Sequence, residues 1–310
     1  MVDSKQQWKA WLYLSPAIVL LLIFTVWPMF NTLRMAFSNG YNGLGAVAGE
    51  KYEFGIENFI KVVDAGGPFL TCLKNTLLLC VITVPISTFL ALLIAVCLNA
   101  IKPLQRLLQT IFFLPYVTNT IAIGMVFSVM FNVIGVNTAS ESIGVINNII
   151  VFFGGTRIDW INLTSELWAN YFVLVVYIVW NALPFKILIL LGGLQSVNKQ
   201  YYDAAKVDGT SRVRTFWRIT VPLLSPMIAY VVITGFIGGF KEYSSIVGIF
   251  GETMGPPTKE GRLNTMIGLI YDALESGDYG RASAAALILF AIILVVTLLN
   301  LYVSKKKVHY

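Results

Sequence analysis

Residues 73–99 read LKNTLLLCVITVPISTFLALLIAVCLN, and Lys74 is the single charged side chain in this stretch. A helix needs roughly 20 mostly apolar residues to cross the hydrocarbon core of a bilayer. The stretch is long enough to span a membrane, which favours a chain whose solvent is lipid over a water-soluble domain.

Similar apolar runs recur along the rest of the chain. Of its 310 residues, 57% are hydrophobic and 12% are charged, whereas a soluble domain usually carries about 25% charged residues. The sequence predicts an all-α polytopic membrane protein with six transmembrane helices. The predicted spans are 11–33, 73–99, 107–131, 167–194, 221–250 and 284–303.

Three of these spans contain an internal proline, at Pro85, Pro115 and Pro184. Proline is tolerated in a membrane helix where neighbouring helices or water satisfy the freed carbonyl. The prolines are consistent with kinked helices around a cavity, and equally with kinks inside well-packed protein.

Loop charges predict the orientation of the chain, because cytoplasmic loops are enriched in Lys and Arg. One set of loops carries twelve basic residues against three acids, Asp3, Asp203 and Asp208. This set includes both termini, which we therefore place in the cytoplasm. The first apolar run is too long for the core of a signal peptide, so we interpret it as an uncleaved helix. The basic residues are Lys5, Lys9, Lys102, Arg106, Lys199, Lys206, Arg212, Arg214, Arg218, Lys305, Lys306 and Lys307.

Several functional classes are disfavoured by composition. Cys72, Cys80 and Cys97 lack metal-binding spacing, and the single histidine, His309, is next to last, so no metal site is predicted. We find no arrangement of nucleophile, acid and base, and expect no enzyme activity. The net charge of +6 is spread over short loops, which argues against a nucleic-acid surface.

The connection between the fourth and fifth spans is unlike a simple linker. It reads GLQSVNKQYYDAAKVDGTSRVRTFWRITVPLLSP from Gly193 to Pro226. Asn198 is placed to cap a short helix, Gly209 to end it in the left-handed conformation, and Ser211 to start a second, basic helix. The pattern predicts a compact helix–turn–helix on the cytoplasmic surface.

This loop resembles the EAA loop of the permease subunits of binding-protein-dependent ABC importers. The resemblance implies a type I, MetI-like permease fold and a loop helix that docks in a cleft of a cytoplasmic ATPase. Small side chains at Ala204 and Ala205 would allow the close approach. Two positions depart from the family pattern, since Asp203 replaces the usual Glu and Asn198 replaces a proline. The implied coupling residues are Tyr202, Asp203, Ala204, Ala205, Asp208, Gly209, Ile219 and Pro222.

Other segments resemble the carbohydrate branch of that family, with its maltose-, glycerol-phosphate- and multiple-sugar-type permeases. Among them are YEFGIENFIKVV (52–63), FFLPYVTNTIA (112–122) and DWIN (159–162). We divide the chain into an N-terminal helix with the first external loop, 1–70, and a permease core, 71–305, whose coupling loop covers about 196–222.

The resemblance also implies partners and a location. These are a second permease subunit, two ATPase subunits, an extracytoplasmic sugar-binding protein and the lipid of a bacterial cell membrane. The sequence contains no GxxxxGK[ST] phosphate loop. We therefore expect this chain to bind no cofactor, with ATP and Mg²⁺ held by the ATPase subunits.

Charges at membrane depth are costly and often functional. Lys186 falls inside the predicted fourth span, and Lys241 and Glu242 inside the fifth. Together with Asn181, these charges suggest a polar translocation cavity, in which Lys186 and Glu242 could pair across two helices. Snorkelling of the side chains to the membrane surface, or a purely structural ion pair, explains the charges equally well. Lysines in the path would favour an acidic sugar. By position, the resemblance assigns the substrate path to Trp180–Lys186 and Gly235–Glu242. The named candidates are Asn181, Phe185, Lys186, Gly239, Lys241 and Glu242.

The main alternative is an ion-coupled secondary transporter of a small polar solute. Such transporters usually contain inverted repeats, and we detect no internal repeat in this sequence. A passive channel would have no use for an ATPase-docking loop.

Overall fold

A computed structural model describes residues 7–64, 66–101, 105–134 and 142–307. Most of these residues are helical. The helices are α1 Gln7–Leu21, α2 Trp27–Ala36, α3 Gly43–Ala48, α4 Glu57–Val63, α5 Phe69–Ala100, α6 Gln105–Val117, α7 Thr120–Phe131, α8 Val145–Phe152, α9 Leu167–Ser196, α10 Lys199–Val207, α11 Arg212–Thr215, α12 Val221–Leu223, α13 Ser225–Phe240, α14 Ser244–Phe250, α15 Met266–Glu275 and α16 Tyr279–Lys307. Two π-helical turns, Leu22–Val26 and Phe216–Thr220, join α1 to α2 and α11 to α12. The strands β1 Val133–Ile134 and β2 Ser142–Ile143 form an antiparallel pair.

Four unbroken helical segments are long and apolar enough to cross a membrane. They are Trp8–Ala36, Phe69–Ala100, Leu167–Ser196 and Tyr279–Lys305. Two further pairs of helices meet the same criterion but are bent at a short break. Counting each bent pair as one span gives six, which agrees with the predicted number.

The predicted third span is a bent pair and not one helix. The axes of α6 and α7 differ by 98° across the break at residues 118–119. Asn119 caps the start of α7, because its side-chain oxygen accepts from the backbone N–H groups of Ile121 (2.9 Å) and Ala122 (3.2 Å). The bend thus lies at this cap, and Pro115 remains inside α6.

The predicted fifth span, 221–250, is also interrupted. Helix α13 ends at Phe240, and α14 begins at Ser244 after three non-helical residues. Lys241 and Glu242 therefore lie in a break and not inside a helix, which corrects the sequence-based placement. A second bend, of 69°, separates Arg212–Leu223 from Ser225–Phe240.

The chain packs as two units. The first comprises residues 1–70 and 269–290, and the second 71–268 and 291–310. In the first unit the buried Asn58 side chain donates to the carbonyls of Ala36 (3.1 Å) and Ser38 (2.7 Å). Gly280 donates its backbone N–H to the carbonyl of Tyr41 (2.8 Å), which ties the start of α16 to the segment between α2 and α3. The functional division into 1–70 and 71–305 remains a prediction.

The second unit contains two apolar clusters at different depths of the long helices. One surrounds Val173, Leu174 and Tyr177 of α9 and includes Ile246 of α14. The other surrounds Leu190 and Leu194 of α9 and includes residues of α5 and α13, among them Ala91, Ala95, Leu98 and Val231. Helix α9 is thus the central element, and the region between the two clusters is where polar side chains collect.

Candidate functional site

The first candidate site is the loop between α9 and α13. Asn198 caps α10, since its side-chain oxygen accepts from the N–H of Gln200 (3.0 Å). At the other end Gly209 adopts φ 64°, and Thr210 donates to the carbonyl of Ala205 (2.9 Å). Both ends of the helix therefore follow the predicted capping chemistry.

A second helical stretch follows, from Arg212 to Leu223. The Ser211 hydroxyl accepts from the N–H of Arg214 (3.4 Å), as a helix cap does. The hydroxyls of Tyr202 and Thr220 lie 3.4 Å apart and connect the two helices of the loop. The loop is therefore a folded helix–turn–helix, with the basic side chains Arg212, Arg214 and Arg218 exposed.

The predicted coupling residues do not all face outward. Ala204 is exposed, whereas Ala205 is only 6% exposed and packs inside the loop, so Ala204 is the alanine whose side chain is open to a close approach. Asp203 is exposed and pairs with Lys206 at 3.4 Å. Tyr202, Ile219 and Pro222 are half-buried, and Asp208 and Gly209 are exposed.

The two helices of the loop also expose large apolar side chains, which the sequence motif did not predict. Val207 is 88% exposed, and Tyr201, Val213 and Trp217 are more than half exposed. Exposed large apolar groups outside a membrane mark interaction surfaces when they are contiguous. The sequence shows the spacing of these apolar residues on two short helices. Whether they are exposed depends on how the two helices pack against each other.

The second candidate site is a cavity of about 300 Å³ inside the second unit. It lies among α5, α6, α9 and α13. Of the predicted path residues, Asn181, Phe185, Lys186, Gly239 and Glu242 line it. Lys241 is exposed and is not one of the lining residues. The other lining residues are Thr83, Val84, Ser87, Tyr116, Ile178, Ala182, Thr234, Gly235 and Gly238.

Lys186 is 4% exposed, about 15 Å from the end of α9 at 1.5 Å per residue. Its ammonium group donates to the hydroxyls of Ser87 (2.7 Å) and Thr88 (3.0 Å) and to the carbonyl of Val84 (3.3 Å). The side chain therefore does not snorkel. Within the described chain it forms no ion pair with Glu242, so the predicted cross-helix pair is wrong. Instead of the Glu242 carboxylate, uncharged oxygens of α5 surround the ammonium group of Lys186.

Glycine at position 235 makes room for this ammonium group. A Cβ there would lie 3.1 Å from Lys186 Nζ and 3.1 Å from Val84 Cγ1. Sequence reasoning missed Ser87, Thr88 and Gly235. Two consecutive hydroxyl residues on an apolar helix were the available signal, but nothing in the sequence linked them to a lysine about 100 positions later.

Glu242 is held at the start of α14. Its Oε1 accepts from the backbone N–H groups of Tyr243 (3.2 Å) and Ser245 (3.1 Å), while Thr265 donates its hydroxyl to the Glu242 carbonyl (2.8 Å). A carboxylate is well placed at the N-terminal end of a helix. The break at 241–243 is thus the structural reason that Glu242 reaches the cavity.

Two aromatic rings form part of the cavity wall. Tyr116 and Phe185 have ring centroids 5.8 Å apart and an interplanar angle of 19°. Gly239, another lining residue, approaches Cys80 of α5 closely, because a Cβ at Gly239 would lie 2.5 Å from the Cys80 Sγ. The cavity thus combines hydroxyls, an amide, two opposite charges and an aromatic wall, which suits a small polar solute with some apolar surface.

A six-span helical chain with a folded loop and a polar cavity at membrane depth has the architecture of a solute permease. Residues 83–309 match the family described as binding-protein-dependent transport system inner membrane component. The chain belongs to this family. The membership disfavours the ion-coupled secondary transporter considered above.

Individual relatives are similar over almost their full length. The multiple sugar-binding transport system permease protein MsmF of Streptococcus mutans is 31% identical, covering 96% of this chain and 95% of that protein. The arabinooligosaccharides transport system permease protein AraP of Halalkalibacterium halodurans is 28% identical, covering 97% and 89%. A chain of a bacterial alginate ABC transporter, solved with an alginate pentasaccharide-bound periplasmic protein, superposes with a TM-score of 0.79 at 24% identity, covering 98% and 96%. That likeness shows the fold.

Proposed function

We propose that this chain is the permease subunit of an ATP-driven importer for a sugar or oligosaccharide. The observation that carries the proposal is the polar cavity between α5, α9 and α13, where hydroxyl, amide and charged groups face a space of about 300 Å³. Sugars present many hydroxyl groups and one apolar face, and the cavity supplies partners for both. The names of MsmF and AraP, as sugar-system permeases, support this substrate class.

Coupling to ATP would occur through the folded loop at about 196–222. In this proposal the exposed side of α10, with Asp203, Ala204 and Asp208, contacts a separate ATPase subunit. Gly209 allows the sharp turn into the basic second helix. ATP and Mg²⁺ would be bound by that ATPase and not by this chain.

The complete importer would contain a second permease subunit, two ATPase subunits and an extracytoplasmic sugar-binding protein. Both termini and the coupling loop would face the cytoplasm of a bacterial cell, which is supported by the loop charges. The two long loops at about 34–72 and 251–283, which are rich in Gly, Pro and acidic residues, would face outward and receive the binding protein. The periplasmic protein bound to the alginate transporter supports this arrangement.

The proposal is tested by the ATPase activity of the reconstituted importer, with and without its binding protein and a panel of oligosaccharides. We expect one sugar class to stimulate hydrolysis and Gly209→Asp to abolish the stimulation. A Cβ at Gly209 would meet no atom within 4 Å. The added carboxylate therefore overlaps no neighbouring atom of this chain, and the backbone strain of a non-glycine residue at φ 64° is matched in the control.

Gly154→Asp is the matched control, since Gly154 has φ 80° and also has open space around its Cβ position. This control should retain full stimulation. Full stimulation in Gly209→Asp would instead mean that the loop is not the coupling element.

A further inference from the structure

The cavity contains charges of both signs that do not neutralise each other by direct contact. Lys186 and Glu242 both line it, and they form no ion pair within the described part of the chain. They are also the only carboxyl and amino groups of the described lining. One is an acid and the other a base, so the lining has no net charge either with both groups ionised or with both neutral.

All the hydrogen-bond donors of the Lys186 ammonium group are already used within the protein. An ammonium group has three N–H donors, and those of Lys186 are directed to Ser87, Thr88 and the Val84 carbonyl. The two hydroxyls in turn donate to carbonyls of α5, with Ser87 to Thr83 at 2.5 Å and Thr88 to Val84 at 2.7 Å. An anionic solute would have to break this closed network to bind the lysine directly.

The acceptors, in contrast, are available. Glu242 uses Oε1 for the backbone N–H groups of Tyr243 and Ser245, and among the described residues the Ser245 side chain also interacts with its carboxylate. A carboxylate has about four acceptor sites, so at least one stays open to a solute. Asn181 lines the same cavity, and its amide offers one acceptor oxygen and two N–H donors that make no hydrogen bond to the described residues. An ionised carboxylate only accepts hydrogen bonds. The open positions of the cavity therefore favour a solute whose hydroxyl groups can donate to Glu242 and both donate to and accept from Asn181.

We infer that this cavity selects an uncharged, hydroxyl-rich sugar and discriminates against uronates, with Glu242 as the specificity-determining residue. Net charge at membrane depth is costly, so a neutral sugar preserves the balance between Lys186 and Glu242, whereas a uronate leaves one negative charge in excess. The inference rests on the proposed function. It reverses the expectation from sequence that the lysines favour an acidic sugar.

Binding to the complete importer, purified through a tag on this chain and held in nanodiscs without its binding protein, tests the inference. The probes are disaccharides of glucose and galactose in three forms: neutral, with one C6 carboxylate, and with one C2 amine. Saturation-transfer NMR gives the dissociation constant for each. Omitting the binding protein ensures that the cavity alone sets the preference.

The wild-type importer should bind the neutral form at least tenfold more tightly than the carboxylate form. Glu242→Gln keeps the Oε1 acceptor for α14 but makes the lining cationic, so the relative affinity for the carboxylate form should rise at least tenfold. Lys186→Met makes the lining anionic and should raise the relative affinity for the amine form by a similar factor. Lys241→Gln, next to Glu242 but outside the lining, should leave all ratios unchanged.

Equal or tighter binding of the carboxylate form by the wild type, or an unchanged ratio in Glu242→Gln, would overturn the inference. If Lys186→Met does not fold, the Glu242→Gln comparison decides alone. ATP-dependent accumulation by the same importer with its binding protein is measured separately. Accumulation of no sugar overturns the proposed function. Accumulation without any binding of the three forms in nanodiscs overturns the selectivity inference alone.

Discussion

Gly239→Ala tests the close approach of α13 to α5 that forms one wall of the cavity. The new Cβ would lie 2.5 Å from the Sγ of Cys80, a side chain that is 1% exposed and has little space to move. Overpacking of this kind typically costs about 1–3 kcal/mol. Gly238→Ala provides the matched control, because its Cβ would meet no atom within 4 Å.

Both substitutions replace a glycine near the end of the same helix, so both gain up to about 1 kcal/mol from helix propensity. Their difference therefore isolates the overlap with Cys80. We expect Gly239→Ala to be less stable than Gly238→Ala by about 1–3 kcal/mol, which corresponds to about 2–4 °C in melting temperature for each kcal/mol.

The assay is thermal unfolding of the purified permease in detergent, followed by tryptophan fluorescence. The double variant Gly239→Ala with Cys80→Ala removes the overlapping sulfur and should recover most of the loss, because the two residues are in contact and their effects are not additive. Equal stability of the two single variants, or no recovery in the double variant, would refute the packing argument.

Two further predictions concern a helix crossing and a helix cap. Gly124→Ala should destabilise the protein by about 1–3 kcal/mol, since its Cβ would lie 2.7 Å from the Cα of Gly248 and backbone cannot move aside as a side chain can; Gly192→Ala, with open space, should not lower the melting temperature. Asn198→Ala should cost about 1 kcal/mol of local helix stability and speed hydrogen exchange of the Gln200 amide, whereas Asn198→Asp should preserve its protection. Equal exchange in both cap variants would contradict the capping role seen at 3.0 Å.

The hydrogen bonds of the buried Lys186 also stabilise the packing of two helices. Its three hydrogen bonds join α9 to α5 across nearly 100 positions of sequence, and each bond to a charged group is worth about 1.5–3 kcal/mol. Removing one hydroxyl acceptor leaves a buried charged donor unsatisfied. The lysine therefore works as a structural tie beside the cavity, and this leaves Glu242 and Asn181 as the groups available to a solute.

Sequence by itself determined the features that depend on local chemistry and on length. The apolar runs are long enough to span a bilayer irrespective of what they contact, so the number of membrane spans can be predicted from the sequence. The loop at 196–222 was equally readable, because Asn198, Gly209 and Ser211 act on the backbone within a few residues of themselves.

Only the tertiary structure determined the features that depend on the direction of the helix axes and on which helices pack together. Hydropathy reports how apolar a run is but not whether its axis bends, so the break at 118–119 and the interruption at 241–243 were missed. Which side of α10 is covered depends on α11 and the turn after it, so the burial of Ala205 was missed as well. The partners of Lys186 lie on a helix distant in sequence, and helix packing alone brought them together and left Glu242 unpaired with it.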